Sequence, residues 1–219
     1  MKNKWLVTGI LLVTLLLLAV YSARCGDKRQ KIVYREHLDD VAAIVNGREL
    51  TLRDVAFYVA YEENQVEEQA RAYHYEDTSE YWRMRTDHTF IRIAARNAAI
   101  QMAVHDAFFY DMAMEQGITL TVEEEEALAD AVADVWADLT DDGKEAMLGV
   151  GYEDISVTVE RMIYAEKMQY IYEELLGGEK NTYAFSSDAY AELLDAQKYK
   201  IYEQVWGRVD FGNVTLHHE

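Results

Sequence analysis

Catalysis in this chain would have to draw on six histidines, one cysteine and 40 carboxylates. The histidines are His37, His74, His88, His105, His217 and His218. None stands in a Glu-x-x-His or His-Glu-x-x-His pattern, so the signatures of carboxylate-bridged iron bundles and zincins are missing. His105 falls on an apolar helical stripe, where a core histidine satisfied by its neighbours is expected rather than a ligand. The segment from Asp138 to Gly143 begins like a calcium loop. Its twelfth position is Gly149, where a bidentate Glu is required, so the match fails. The Gly-x-Ser-x-Gly elbow, the Walker loop and the dinucleotide fingerprint are all absent. Carboxylate pairs arise by composition alone among so many acids. No catalytic residue, metal site or cofactor is expected.

The aromatic residues suggest binding instead. The chain holds 16 tyrosines, 4 tryptophans and 6 phenylalanines. Phe57, Tyr61, Tyr73, Tyr81 and Trp82, with Tyr75, sit in polar surroundings rather than deep in apolar runs. Tyr and Trp give large contact area at low entropy cost and tolerate water, which suits adaptable contact with apolar segments. These five are the candidate peptide-binding residues. The competing expectation is that they are core or boundary side chains.

Charge narrows the partners. There are 21 basic groups against 40 acidic ones, a formal net charge of −19. A surface this acidic repels phosphate backbones, so nucleic acid is not an expected partner. One cysteine allows neither an intrachain disulfide nor a cysteine zinc cage. The absence of proline leaves long helices unbroken.

The first 23 residues read as a membrane address. Lys2 and Lys4 precede residues 5–23, which carry no charge. As a helix those residues would span about 28 Å, near the thickness of a bilayer core. The run is longer than the roughly 7–15 apolar residues of a signal peptide, which favours a retained anchor; cleavage stays open. Cys25-Gly26 is placed like a lipidated cysteine, but Arg24 stands where that motif takes a small residue, so lipidation is not the expectation. Arg24, Lys28, Arg29, Lys31 and Arg35 follow the run, and counted literally they would keep the body in the cytoplasm. The basic amino terminus reads as an export signal instead.

Residues 24–40 read as a mixed-charge tether and residues 41–219 as one domain. Residues 41–45 form a β-prone run ending at the turn dipeptide Asn46-Gly47. Thr51 and Asp54 open a helix running from about Leu52 into the early seventies, whose polar second half is expected to be solvated. A long helix is expected from Asp87 to Gln116, apolar on several sides and therefore central. Thr121 and Glu124 cap the next helix, to about Ala137. A short helix from Asp141, a long one from Glu153 to Leu176 and a short one from Asp188 follow. Residues 199–216 alternate as strands do and could pair with residues 41–45, drawing both ends of the body together.

Val41–Ala56 resembles the opening of the SurA/PrsA family of exported chaperones: strand, Asn-Gly turn, Leu-Thr, then an acid starting the first helix. Met112–Ala129 and Tyr152–Leu175 are similar to that family's later helices. The resemblance implies a mainly α fold, a SurA N-terminal-like helical domain with core 41–176 and a helix-and-strand segment 177–219. Short β-strands come from both ends of the body, and an N-terminal membrane helix precedes it. It implies an extracytoplasmic holdase for unfolded or newly exported polypeptides, tethered through residues 5–23. Many members also carry a parvulin prolyl isomerase domain; the 43 residues after Leu176 are too few for one. The alternatives are a non-catalytic scaffold subunit of an envelope complex and a degenerate isomerase. Oligomeric state is not legible. The holdase reading needs an apolar hollow left open to solvent; should the body's own packing fill it, with Trp82 and its neighbours sealed away, the reading has no physical basis.

Overall fold

The computed structural model describes residues 30–86 and 88–217. The expected membrane segment 5–23 and Cys25 lie outside the described residues. Among those described, no helix is long and apolar enough to cross a membrane. The chain is mainly helical, as expected from its proline-free composition.

A hairpin comes first. Strand β1 (Val41–Val45) pairs antiparallel with β2 (Arg48–Thr51). Asn46 and Gly47 both take positive φ, 50° and 92°, which lets a two-residue turn follow the strand twist. β5 (Tyr199–Ile201) adds to the other edge of β1, with Ala43 opposite Ile201 and Val45 opposite Tyr199. The two ends of the body are therefore joined, in the sheet order β2-β1-β5.

Helix α1 (Leu52–Ala72) starts at a complete capping box between Thr51 and Asp54. A short helix α2 (Thr78–Trp82) is capped by Asp77. The tiny hairpin β3 (Arg85–Thr86) and β4 (Thr89–Phe90) comes next. The central helix α3 (Ile91–Glu115) consequently begins four residues later than its apolar pattern suggests. It packs between α1 and α6 (Tyr152–Leu176) and buries Ile100, Val104, Phe108 and Phe109. Each such side chain is worth about 2–3 kcal/mol of burial. Gly117 and Gly177 end α3 and α6 in the left-handed region, as helix-stop glycines do.

Helix α4 (Val122–Asp141) opens with the second capping box, Thr121 and Glu124, and runs a turn past Ala137. It buries Val132 and Leu139, and Leu128, Ala131, Val135 and Trp136 pack partly buried against the core. Helices α5 (Lys144–Leu148), α7 (Asp188–Asp195) and α8 (Glu203–Trp206) complete the set.

Three expectations need correction. The tether is shorter than residues 24–40, because Ile32, Tyr34 and Leu38 are buried and the Tyr34 hydroxyl donates to the Leu52 carbonyl at 2.6 Å. The second half of α1 is not solvated: Glu63, Val66, Glu67 and Ala70 are buried along one face. The tail forms a strand only at residues 199–201. It then turns through α8 and runs irregularly to Thr215, with Trp206, Val209 and Phe211 packed into the core.

Candidate functional site

Three hollows that share lining residues lie along α1, α4 and α6. The middle one, about 290 Å³, opens to solvent between α1, α3, α6 and the loop before α7. Phe57 and Tyr61 on α1, Met102 on α3, Met162 on α6 and Phe185 on the loop give it apolar walls. A smaller hollow of about 110 Å³ shares Phe57 and Tyr61 and adds Val135 and Leu139 from α4. A larger one of about 710 Å³, between α4 and α6, shares Gln169 and Asn181 and is lined by Ala131, Ile163 and Tyr170. End to end they form a trough with aromatic and methionine walls.

The walls follow from local sequence. Phe57 and Tyr61 are one turn apart on α1, and their rings lie nearly parallel with centroids 6.1 Å apart. Tyr58, between them, turns inward, and Phe57 meets its ring edge-on at 5.4 Å. Methionine supplies the adaptable surface common at promiscuous binding sites.

The floor is a closed polar network. The Tyr58 hydroxyl donates to Asp106 Oδ2 at 2.7 Å. His105 Nδ1 lies 2.8 Å from Asp106 Oδ1, and its Nε2 lies 3.1 Å from the Tyr183 carbonyl. His105 thus ties the loop before α7 to the central helix, and it is 6% exposed. Burial, with the Asp106 charge next, pushes the Tyr58 hydroxyl well above the ordinary tyrosine range, so it keeps its proton and stays a donor. Charged groups also rim the trough: Asp138 and Lys144 at one end, Glu124, Glu166, Lys167 and Lys180 at the other. The arrangement can seat an apolar segment along its walls and hydrogen-bond it at Gln169 and Asn181.

The five candidate aromatics divide. Phe57 and Tyr61 line the trough, and Tyr61 is 43% exposed. Tyr73 is the most exposed of the five but lies elsewhere, stacked on Tyr81 at 6.0 Å. Tyr81 and Trp82 are corrected: they are 7% and 4% exposed and present no face to a ligand. Trp82 is sealed because its indole N–H donates to Glu67 at 2.8 Å and the tail backbone at Gly212 crosses its ring. Sequence reasoning missed Met102, Met162 and Phe185. Met102 falls on the apolar stripe of the central helix and Met162 within the long helix Tyr152–Leu176, so both read as core, while Phe185 lies in a loop with no periodicity.

Two carboxylates, Glu63 buried and Asp54 partly buried, hold the frame that carries the trough. Glu63 accepts from the backbone N–H groups of Gly212 and Val214 on one oxygen, at 2.7 and 3.1 Å. Its other oxygen takes the Thr215 N–H and hydroxyl at 2.7 and 2.6 Å. Burial pushes its carboxyl above the ordinary range, and these hydrogen bonds pull against that shift. Asp54 accepts from Arg161 at 2.8 Å, joining α6 to the start of α1. Burial pushes the Asp54 carboxyl up, but the hydrogen bonds and charge of Arg161 and the Thr51 contacts outweigh it, and the net shift is downward.

Among the described residues, no three His, Cys, Asp or Glu side chains stand close enough to hold a metal ion. Neither a known family, nor a curated protein, nor a solved structure matches this chain.

Proposed function

We propose that the chain is a membrane-tethered, extracytoplasmic holdase that shelters unfolded or newly exported polypeptides and has no prolyl isomerase activity. The observation that carries the reading is the trough: three adjoining hollows, open to solvent, the middle one walled by Phe57, Tyr61, Met102, Met162 and Phe185. An extended client would lay alternate side chains into such hollows, and flexible methionine and loop walls would repack around different clients. The order of motifs shared with exported SurA/PrsA chaperones supports the finer reading of a SurA N-terminal-like domain. The uncharged run 5–23 supports the tether and the extracytoplasmic body. Strong acidity would keep a tethered holdase soluble and apart from its own copies.

The test is suppression of client aggregation by the full-length protein, read by light scattering, together with binding of unfolded peptides. Suppression that weakens when Tyr61 is replaced supports the reading. Absence of both activities sinks it. Recovery of one stoichiometric envelope partner with no effect on aggregation selects a scaffold subunit instead.

A further inference from the structure

The end of the body around β3 and β4 differs in charge from the rest. From Arg83 to Arg96 the chain holds four arginines and one acid, within a sequence of 40 acids and 21 bases. Arg83, Arg85, His88 and Arg92 are exposed, as are Met84 at 38% and Phe90 at 40%. The guanidinium carbons of Arg85 and Arg92 stand 5.4 and 5.6 Å from the centre of the Phe90 ring. Arg85 also donates to the His88 carbonyl at 2.7 Å, which steadies the hairpin. The result is an exposed apolar pair, Met84 and Phe90, flanked by cations, the composition that suits an interface of anionic headgroups over acyl chains.

This patch lies at the end where the chain enters the fold. Arg208 Nε donates to the Gln30 carbonyl at 2.9 Å, and the Ile32 N–H donates to the Arg208 carbonyl at 3.2 Å. Lys31 reaches the Val209 carbonyl and pairs with Asp210 at 3.2 Å. A few residues on, Phe211, Gly212 and Asn213 share a small hollow with Arg83 and Arg92. Residues 208–213 thus bridge the entry point and the arginine hairpin. Six residues, 24–29, separate Gln30 from the uncharged run, and six residues reach at most about 20 Å.

We propose that the hairpin carrying Arg83, Met84, Arg85, Phe90 and Arg92 is a second membrane contact that docks on anionic lipid headgroups. The proposal rests on the reading of residues 5–23 as the anchor. A body held this close to its anchor must turn some face to the bilayer, and its acidic faces are repelled by anionic lipid. The arginine hairpin is the face that is attracted. Docking would fix the body's orientation and not merely its location.

The test uses the full-length protein reconstituted in vesicles of phosphatidylcholine alone, or of phosphatidylcholine mixed with phosphatidylglycerol. Deuterium exchange is followed in peptides covering residues 83–92, and carbonate extraction reports insertion. Slower exchange in the anionic vesicles, abolished by high salt, is expected. Each arginine should contribute about fivefold to docking, so the R83Q/R85Q/R92Q variant should lose about a hundredfold. These side chains are exposed, so an unchanged melting temperature will show that the variant folds. Equal exchange in both lipids, from protein that resists carbonate, overturns docking and leaves the anchor standing. Carbonate-extractable protein that still shows anionic-dependent protection upholds docking and removes the anchor. Protection that depends on protein density at fixed lipid composition assigns the patch to a second copy and overturns the proposal.

Discussion

One oxygen of Glu63 takes both the backbone N–H and the hydroxyl of Thr215, across 152 residues of chain. With Gly212 and Val214 on the other oxygen, a single buried carboxylate gathers the end of the described tail. A carboxylate accepts and does not donate, so a run of backbone N–H groups is a complementary partner for it. This clamp lays Gly212 over Trp82.

Replacing Glu63 with Gln puts a donor where donors already point. The loss should be about 3 kcal/mol of stability, because buried N–H groups are left without an acceptor. Chemical denaturation will measure it. Limited proteolysis should then cut first within residues 207–217, before any cut in α3.

Asp54 should make stability depend on pH in a defined window. Its folded carboxyl titrates below the ordinary aspartate value, so its stabilisation is present above that value and is lost as pH falls through the folded one. Asp54→Asn leaves Arg161, 6% exposed, without its charge partner, at a cost of about 3 kcal/mol near neutrality. The gap between wild type and variant should close below about pH 3.9. Denaturation curves across the acid range will show it.

Tyr61 and Trp82 should separate binding from folding. Tyr61→Ala removes a half-exposed ring from the trough, so stability should change by less than about 1 kcal/mol while peptide affinity falls by about 1–2 kcal/mol. Trp82→Ala opens a cavity and frees Glu67 of its indole contact, at about 3–5 kcal/mol of stability. While that variant stays folded, its peptide affinity should match the wild type. Calorimetric titration beside thermal melts distinguishes the two.

Gly212 should resist even alanine. Its φ is +87°, and an added Cβ would lie 2.9 Å from Trp82 Cδ2. Gly117, at φ +67°, has open space around it. Gly117→Ala should cost about 1 kcal/mol for backbone strain, and Gly212→Ala about 1–3 kcal/mol more, for displacing the indole. Comparing their melting temperatures isolates the close approach.

Much of the frame is legible in local sequence. Thr51 with Asp54 and Thr121 with Glu124 announce helix starts, Gly117 and Gly177 announce stops, and Asn46-Gly47 announces the hairpin. Even the meeting of residues 41–45 with the tail follows from two β-prone ends with helices between them. The caps, stops and turn rest on backbone sterics and on hydrogen bonds spanning three or four residues, whose partners are neighbours in sequence, whereas the β1–β5 pairing joins distant parts of the chain.

What tertiary structure alone decided is the burial of polar and aromatic groups. Glu63 and Glu67 stand in a run that composition marks as solvated, yet both are buried because acceptors were needed for Thr215 and Trp82. Trp82 was a candidate surface ring until Gly212 lay across it, whereas Phe57 and Tyr61 line hollows that no distant side chain fills. A side chain's environment is set by what packs against it from distant parts of the chain. No periodicity within one helix carries that information, because the partner that buries a carboxylate can lie 152 residues away.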